Sequence, residues 1–309
     1  MKKYITRRLL LAIPTVIGVV TLVFSFIHFI PGDPVLAMLG ENAPEADITA
    51  LREQLGLNKP LYIQYIDYIK GLVRGDLGFS LRTGRPVLVT VLLRYPATIE
   101  LALASLALAL LISLPLGVIA ATKRNTFLDH LARFFSLFGL SIPNFWLGPL
   151  LIIIFSLKLN LLPVSGRGGI SHLILPAITL GTALSAILTR MVRASLLEEI
   201  GKEYIRAARA RGLPEYIVIG KHALKNALIP VITIIGLQFG TLLAGAIITE
   251  TIFAWPGIGR LLIQAINQRD YPVVQGTILA ISFGYILVNL LTDIAYSLAD
   301  PRIRYGEKG

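Results

Sequence analysis

The chain has no cysteine among its 309 residues. That one absence excludes disulfides, thiolate metal sites and cysteine nucleophiles. It leaves the redox compartment undecided, because a chain without thiols tolerates either environment. Charge is also scarce: 15% of residues are charged and 55% hydrophobic, where a soluble domain carries roughly 25% charged residues. The usual signatures of catalysis are missing as well. Gly220-Lys221 resembles the end of a phosphate-binding loop, but Glu215 stands where the first glycine belongs and His222 where Ser or Thr belongs, so ATP binding by that device is not expected. His28, His130, His172 and His222 form no His-x-x-x-His or His-Glu-x-x-His pair, which argues against a metal site. No Gly-x-Ser-x-Gly elbow occurs, and the apolar stretches offer no obvious Ser–His or Asp–Asp pair for intramembrane proteolysis.

What the chain does have is length of apolar sequence. Six stretches, near 9–30, 97–121, 131–157, 173–193, 229–252 and 275–298, are long enough to cross a hydrocarbon core of about 30 Å. Leu101–Leu116 and Leu147–Leu157 show almost no polar stripe, unlike the half-exposed helices of a soluble protein. The first stretch is too long for the apolar region of a cleaved signal peptide, and no convincing small-residue cleavage site follows it. The expected fold is therefore all-α: a polytopic membrane protein with six transmembrane helices. Four segments are expected: residues 1–30 with the first helix, an extracytoplasmic cap region over 31–96, a five-helix core over 97–298 and a tail over 299–309.

Lysine and arginine placement sets the orientation. With a cytoplasmic N-terminus, 18 of the 29 basic residues fall on inner ends and loops and 11 outside. Seven of those 11 lie in the 31–96 segment, which is long enough to cross regardless of charge. Both termini are expected to be cytoplasmic. The net charge of +11 then reflects topology rather than a nucleic-acid footprint, since no basic patch is interleaved with aromatics. In the outer segment, Pro31-Gly-Asp-Pro34 ends the first span, Asp47 is placed to cap a short helix over 48–55, and Tyr62, Tyr65, Ile66 and Ile69 repeat at helical spacing. Gly75-Asp-Leu-Gly78 and Thr83-Gly-Arg-Pro86 read as turns. The segment is expected to rest on the bundle with its Tyr and Ile side chains buried; an interfacial aromatic belt is the alternative.

The most informative stretch lies between two spans, in the loop 194–228. Glu203, Tyr204, Arg206, Ala207, Ala208, Arg209 and Arg211 form a basic, helix-prone run that Gly212 ends and Pro214 follows. Tyr204, Ala207, Ala208 and Arg211 stand at i, i+3, i+4, i+7 and share one helical face. Two readings fit: a solvated basic loop obeying the positive-inside rule, or a docking element gripped by a cytoplasmic motor. Among ionisable residues near span ends, Glu100, Glu250, Asp293 and Arg190 read as snorkelling or interfacial. Asn144, Gln238, Thr241 and Asn289 are the candidate pathway residues, because a pore must hydrate its cargo without trapping it; interhelical hydrogen bonding is the competing role. Breakers inside spans include Pro14, Pro115, Pro149 and Pro176, with Gly236, Gly240 and Gly245 on the fifth. Gly236 and Gly240 make a Gly-x-x-x-Gly suited to close helix approach.

Several of these stretches together resemble the permease subunits of ATP-binding-cassette importers, above all the first permease of the dipeptide, oligopeptide, glutathione and nickel systems. The resemblance runs through Arg7-Arg8-Leu-Leu, Ile27-His-Phe-Ile-Pro-Gly-Asp-Pro34, Gln54-Leu-Gly-Leu-Asn-Lys-Pro-Leu61 and Gly75-Asp-Leu-Gly-Phe-Ser80. It continues through Leu237-Gln-Phe-Gly240 to Glu250, then Trp255-Pro-Gly-Ile-Gly-Arg260, Arg269-Asp-Tyr-Pro272 and Asp300-Pro-Arg-Ile-Arg304. In that family the 203–225 loop docks on the ATPase, with a pattern of Glu-Ala-Ala, three residues, Gly, nine residues and Ile-x-Leu-Pro. Ala207, Ala208, Gly212 and Leu224 fit it; Arg206, His222 and Lys225 depart from it in the manner of the peptide-permease variant. The resemblance implies a type I importer permease fold with no covalent chemistry and no cofactor in this chain. It also implies a homologous second permease, two ATP-binding subunits carrying ATP and Mg, an extracytoplasmic solute-binding protein, and a place among the lipids of a bacterial or archaeal cytoplasmic membrane. Di- or oligopeptides are the implied cargo, with glutathione or nickel as alternatives. An ion-coupled secondary transporter is the rival reading; it requires ionisable groups at mid-membrane, whereas the charges here lie near the span ends.

Overall fold

The computed structural model describes residues 2–29, 34–40, 43–54 and 56–299. Within them the chain forms α1 (Lys2–Phe29), α2 (Pro34–Leu39), α3 (Glu45–Gln54), α4 (Leu61–Val73), α5 (Val87–Thr122), α6 (Phe127–Ser141) and α7 (Asn144–Leu151). There follow α8 (Ile170–Ile200), α9 (Glu203–Ala210), α10 (Glu215–Ile217), α11 (Leu224–Ile252), α12 (Ile258–Asn267) and α13 (Tyr271–Ala299). Wide π-helical turns over Ile152–Lys158 and Val218–Ala223 extend α7 and lead into α11. Such a chain must be helical in lipid, because only an element that pairs its own N–H and C=O groups can sit in hydrocarbon.

The core is built on α5 and α8. The buried face of α5 carries Ala102, Ser105, Ala109, Ser113, Gly117 and Ala120, a stripe of small residues at helical spacing. Small side chains let two backbones approach, which is how helices gain packing contact where no hydrophobic force acts between them. A Cβ placed on Gly117 would stand 2.7 Å from Val192, and one on Gly181 would stand 2.9 Å from the Ser105 carbonyl. Three of the hydroxyls along this seam bond within their own helices, while the buried Ser113 hydroxyl has no hydrogen-bond partner among the described residues. Ser105 donates to Leu101 O at 2.8 Å, Thr179 to Leu175 O at 2.8 Å and Thr189 to Ser185 O at 2.7 Å.

All six expected spans are helical, but not all are straight crossings. Val87–Thr122, Ile170–Ile200, Glu215–Leu243 and Tyr271–Ile294 are each long and apolar enough to cross, and α1 contributes the shorter apolar stretch Leu10–Ser25. The second begins at Val87, ten residues before the expected start. The third, expected as one span over 131–157, is instead two helices bent by 100° between Ser141 and Asn144. Pro143 explains the break. It has no N–H to give the helix, and it pushes Ile142 into an extended conformation, φ −85° and ψ 118°. Each half, at about 1.5 Å per residue, falls short of the bilayer core.

The 31–96 segment rests on this bundle only in part. Residues 31–33 and the tail beyond Ala299 lie outside the described residues, and so do the first turn read there and the Asp300–Arg304 motif. Helix α4 lies along α1: the Tyr65 and Thr21 hydroxyls are 2.7 Å apart, Phe24 meets Tyr65 edge-on at 5.2 Å, and Tyr68, Ile69 and Leu72 pack beside Val20 and Val23. Tyr62 and Ile66, expected to be buried, are 67% and 47% exposed. They sit on the outer side of α4, away from α1. Asp47 falls in the first turn of α3, where its charge suits the helix dipole, rather than at the cap. Residues 75–86 fold as a hairpin closed by one bridge between Phe79 and Pro86. Asp270, at the α12–α13 junction, fastens the hairpin: Ser80 Oγ donates to it at 2.5 Å and the Leu81 N–H at 3.2 Å.

Candidate coupling loop and pathway site

The loop between α8 and α11 is anchored on one side only. Ile205 and Ala208 of α9 are buried in a cluster with Ala121 of α5, Leu196 of α8 and Val218, Ile219, Ala223 and Ala227 beyond. Leu224 packs against the same cluster. The buried face is therefore centred on Ile205 and Ala208; Ala207, which spacing groups with Ala208, is exposed. Tyr204 ties α9 to both neighbours. Its hydroxyl donates to Glu199 Oε2 at 2.5 Å and accepts from Asn226 Nδ2 at 3.0 Å. Burial, and then the bond to Glu199, raises the Tyr204 pKa above its ordinary value. Arg209 pairs within the loop, its Nη2 lying 2.6 Å from Glu215 Oε1. Glu203, Arg206, Ala207 and Arg211 face outward. Gly212 ends the helix at φ +75°, a left-handed conformation that costs any residue with a Cβ.

Three of the four pathway candidates meet. Asn144 of α7 and Gln238 and Thr241 of α11 line one cavity of about 150 Å³, with Ala183 and Ile187 of α8 on its other wall. The 100° bend is what puts Asn144 there: it starts α7 at the depth where the third span breaks. Thr241 donates to the Gln238 carbonyl at 2.7 Å and lies 3.0 Å from Gln238 Oε1, so these two residues are paired within α11 rather than across helices. Ile187 also borders a hollow of about 370 Å³ that holds Arg190. Asn289 is not part of this site. It faces Gly240, whose added Cβ would lie 2.9 Å from Tyr285 and 3.7 Å from Asn289. The Gly236–Gly240 pair thus packs against α13 of the same chain.

Comparison with known proteins decides the family. The profile described as "Binding-protein-dependent transport system inner membrane component" matches residues 113–305, and its N-terminal companion, "Binding-prot-dependent transport system membrane comp, N-term", matches residues 1–102. The chain belongs to this family of permeases. The dipeptide transport system permease protein DppB of Escherichia coli (strain K12) is 47% identical over 99% of both chains. The di/tripeptide permease DppB of Pseudomonas aeruginosa (strain UCBPP-PA14) is 48% identical over 99% of both. The glutathione permease GsiC of Escherichia coli O6:H1 is 45% identical over 99% of this chain and 100% of its own. In fold, the chain resembles one from the inward-facing methionine ABC transporter MetNI, at a TM-score of 0.56 and 18% identity, over 69% of this chain and 97% of that one. The protein is thus the non-catalytic permease component of a binding-protein-dependent ABC importer of the inner membrane, and membership implies ATPase partners.

Three carboxylates of the permease do more than their sequence positions suggested. Glu250, read as interfacial, is fully buried. Thr98 of α5 donates to its Oε1 at 2.6 Å, and the Arg260 N–H at the start of α12 donates to Oε2 at 3.0 Å. Gly257 leaves room for the carboxylate, which a Cβ at that position would strike. Beside it the Trp255 indole donates to Ala97 O at 2.8 Å. The Glu250 and Trp255–Arg260 motifs are thereby one anchor that joins α5, α11 and α12. Asp129, not singled out in the sequence, is also fully buried. It takes a two-pronged bond from Arg193 at 2.8 and 2.9 Å and a third contact from Arg133 at 3.2 Å, fixing the start of α6 to α8. Asp270 is the third, holding the 75–86 hairpin. Glu100 and Asp293 are both partly exposed, one paired with Arg167 and the other with Arg8.

Proposed function

We propose that the permease imports di- or oligopeptides, working with a homologous second permease, two ATPases that carry ATP and Mg, and an extracytoplasmic solute-binding protein. The observation that carries this reading is the anchoring of α9. Ile205, Ala208 and Tyr204 root it in its own chain, and Glu203, Arg206, Ala207 and Arg211 are left facing away from it. A rigid helix with a free basic face transmits force; a solvated loop does not. Closure of the ATPases moves α9, and with it the start of α11, whose Gln238 and Thr241 line the cavity with Asn144. Both termini and the 194–228 loop lie on the cytoplasmic side, and 31–96 lies outside. The peptide assignment rests on the dipeptide and di/tripeptide systems to which the DppB relatives belong, with the glutathione permease GsiC as the alternative and nickel as the third cargo of the resemblance.

The test is reconstitution of the whole transporter in proteoliposomes. Uptake of a labelled dipeptide is expected to require ATP and to survive a proton ionophore; collapse with the ion gradient would establish an ion-coupled carrier instead. Glutathione and nickel are run in parallel to identify the cargo. Thr241→Trp is expected to preserve assembly and basal ATP hydrolysis while lowering uptake to near background. Full uptake by that variant would place the pathway on another helix, and loss of assembly would make Thr241 a packing residue.

A further inference from the structure

A second, strongly apolar hollow is separate from the pathway cavity. It measures about 380 Å³ and has three walls: α5 from Leu88 to Tyr95, α13 from Gly276 to Leu287, and the stretch Leu72–Leu77 that leaves α4. Among its lining side chains the Tyr95 hydroxyl is the sole polar group, and that hydroxyl is directed at the Ala280 carbonyl, 3.4 Å away. The site therefore offers nothing to a peptide, whose amides would lose their hydrogen bonds on entry.

Its dimensions and setting point to one occupant. At 1.5 Å per residue, Gly276 to Leu287 spans about 16 Å, roughly half of a hydrocarbon core of about 30 Å, or one leaflet. A volume of about 380 Å³ over that length makes the hollow long and narrow, slimmer than a helix of about 10–12 Å diameter. The groove starts at the aqueous edge, where the 75–86 hairpin meets the α12–α13 junction, and runs inward between two membrane-crossing helices. Its rim is formed by Leu92 and Leu287, 57% and 55% exposed, so it is continuous with the lipid-facing surface. Beside the lining residues Leu72 and Gly75, Lys70 and Arg74 are exposed at the end of α4; of the nearby carboxylates, Asp67 pairs with Lys59 at 2.8 Å and Asp76 accepts the Gly78 N–H at 2.9 Å. We propose that this groove binds a single acyl chain of a membrane phospholipid, with the headgroup phosphate held by Arg74 and Lys70.

Photolabelling of the intact transporter in native membrane vesicles tests this, with a phosphatidylglycerol carrying a diazirine at mid-chain. Label is expected on 88–95 and 276–287. Ala280→Phe, which fills the groove, should lose it, and so should Leu92→Trp at the exposed rim, where misfolding is not a concern. Leu111→Phe, on a 74% exposed position of α5, should keep it. Equal labelling of wild type and both filled variants would mean lipid collides with this face without occupying a site. Absence of label from the wild-type segments would mean that another protein covers the groove; either result overturns the proposal.

Discussion

Glu250 shows how far a single residue can depart from its position in the sequence. It stands near the end of an apolar stretch, where a carboxylate ordinarily reaches for water, yet it is fully buried. Whether burial is tolerable depends on donors, and these come from Thr98 on another helix and from backbone N–H groups at the turn into α12. No local pattern announces a partner 152 residues away. Asp129 was illegible for the same reason, its main partner being 64 residues distant. Glu250→Ala leaves the Arg260 N–H and the Thr98 hydroxyl without this acceptor, a cost of roughly 2–4 kcal/mol for buried donors left unmet. The expected result is a clear fall in thermal inactivation temperature of the detergent-purified transporter, with Glu250→Gln intermediate because it keeps one acceptor oxygen. An unchanged temperature for the alanine variant would remove the anchoring role.

At the scale of elements, what is local was readable and what is tertiary was not. The end of α9 follows from Gly212 and Pro214, and the structure places the helix end at Ala210 and Gly212 at φ +75°. Which face of α9 is buried did not follow: spacing alone grouped Ala207 with Ala208, but the packed side is set by Ile205, which the i, i+3, i+4, i+7 count omitted. The broken third span has a readable signal in Ile142-Pro143, since a proline pushes the residue before it into an extended conformation. The loop offers a sharp test. A Cβ on Gly212 meets nothing within 4 Å, so the penalty for Gly212→Val is conformational, about 1–2 kcal/mol or more for a β-branched residue in the left-handed region. That variant is expected to insert normally and to lose its ATPases on affinity purification. Normal co-purification with normal uptake would mean that the loop does not dock.

For the molecule as a whole, composition was sufficient to read a multispan helical membrane protein, and the order of motifs was sufficient to read the family of permeases. The way those motifs close on one another was not. Gly75–Ser80 and Arg269–Pro272 were separate signatures in the sequence; in the fold Ser80 and Asp270 hold each other. Orientation is testable because the chain has no cysteine of its own. Single cysteines at Asn58 and Thr83, both exposed, are expected to react with an impermeant thiol reagent in intact spheroplasts. Reaction only after lysis would invert the topology.

The self-bonded hydroxyls of the α5–α8 seam bear on the order of events during synthesis. A helix whose serines and threonines already bond their own preceding turn carries no unmet hydroxyl into lipid. Ser105, Thr179 and Thr189 are such residues and are satisfied before α5 and α8 meet, whereas the buried Ser113 hydroxyl of α5 makes no such bond. Glu250 has no such provision. Thr98 is in place long before it, but Arg260 emerges ten residues later, so the carboxylate gains its second donor only once the chain has turned into α12.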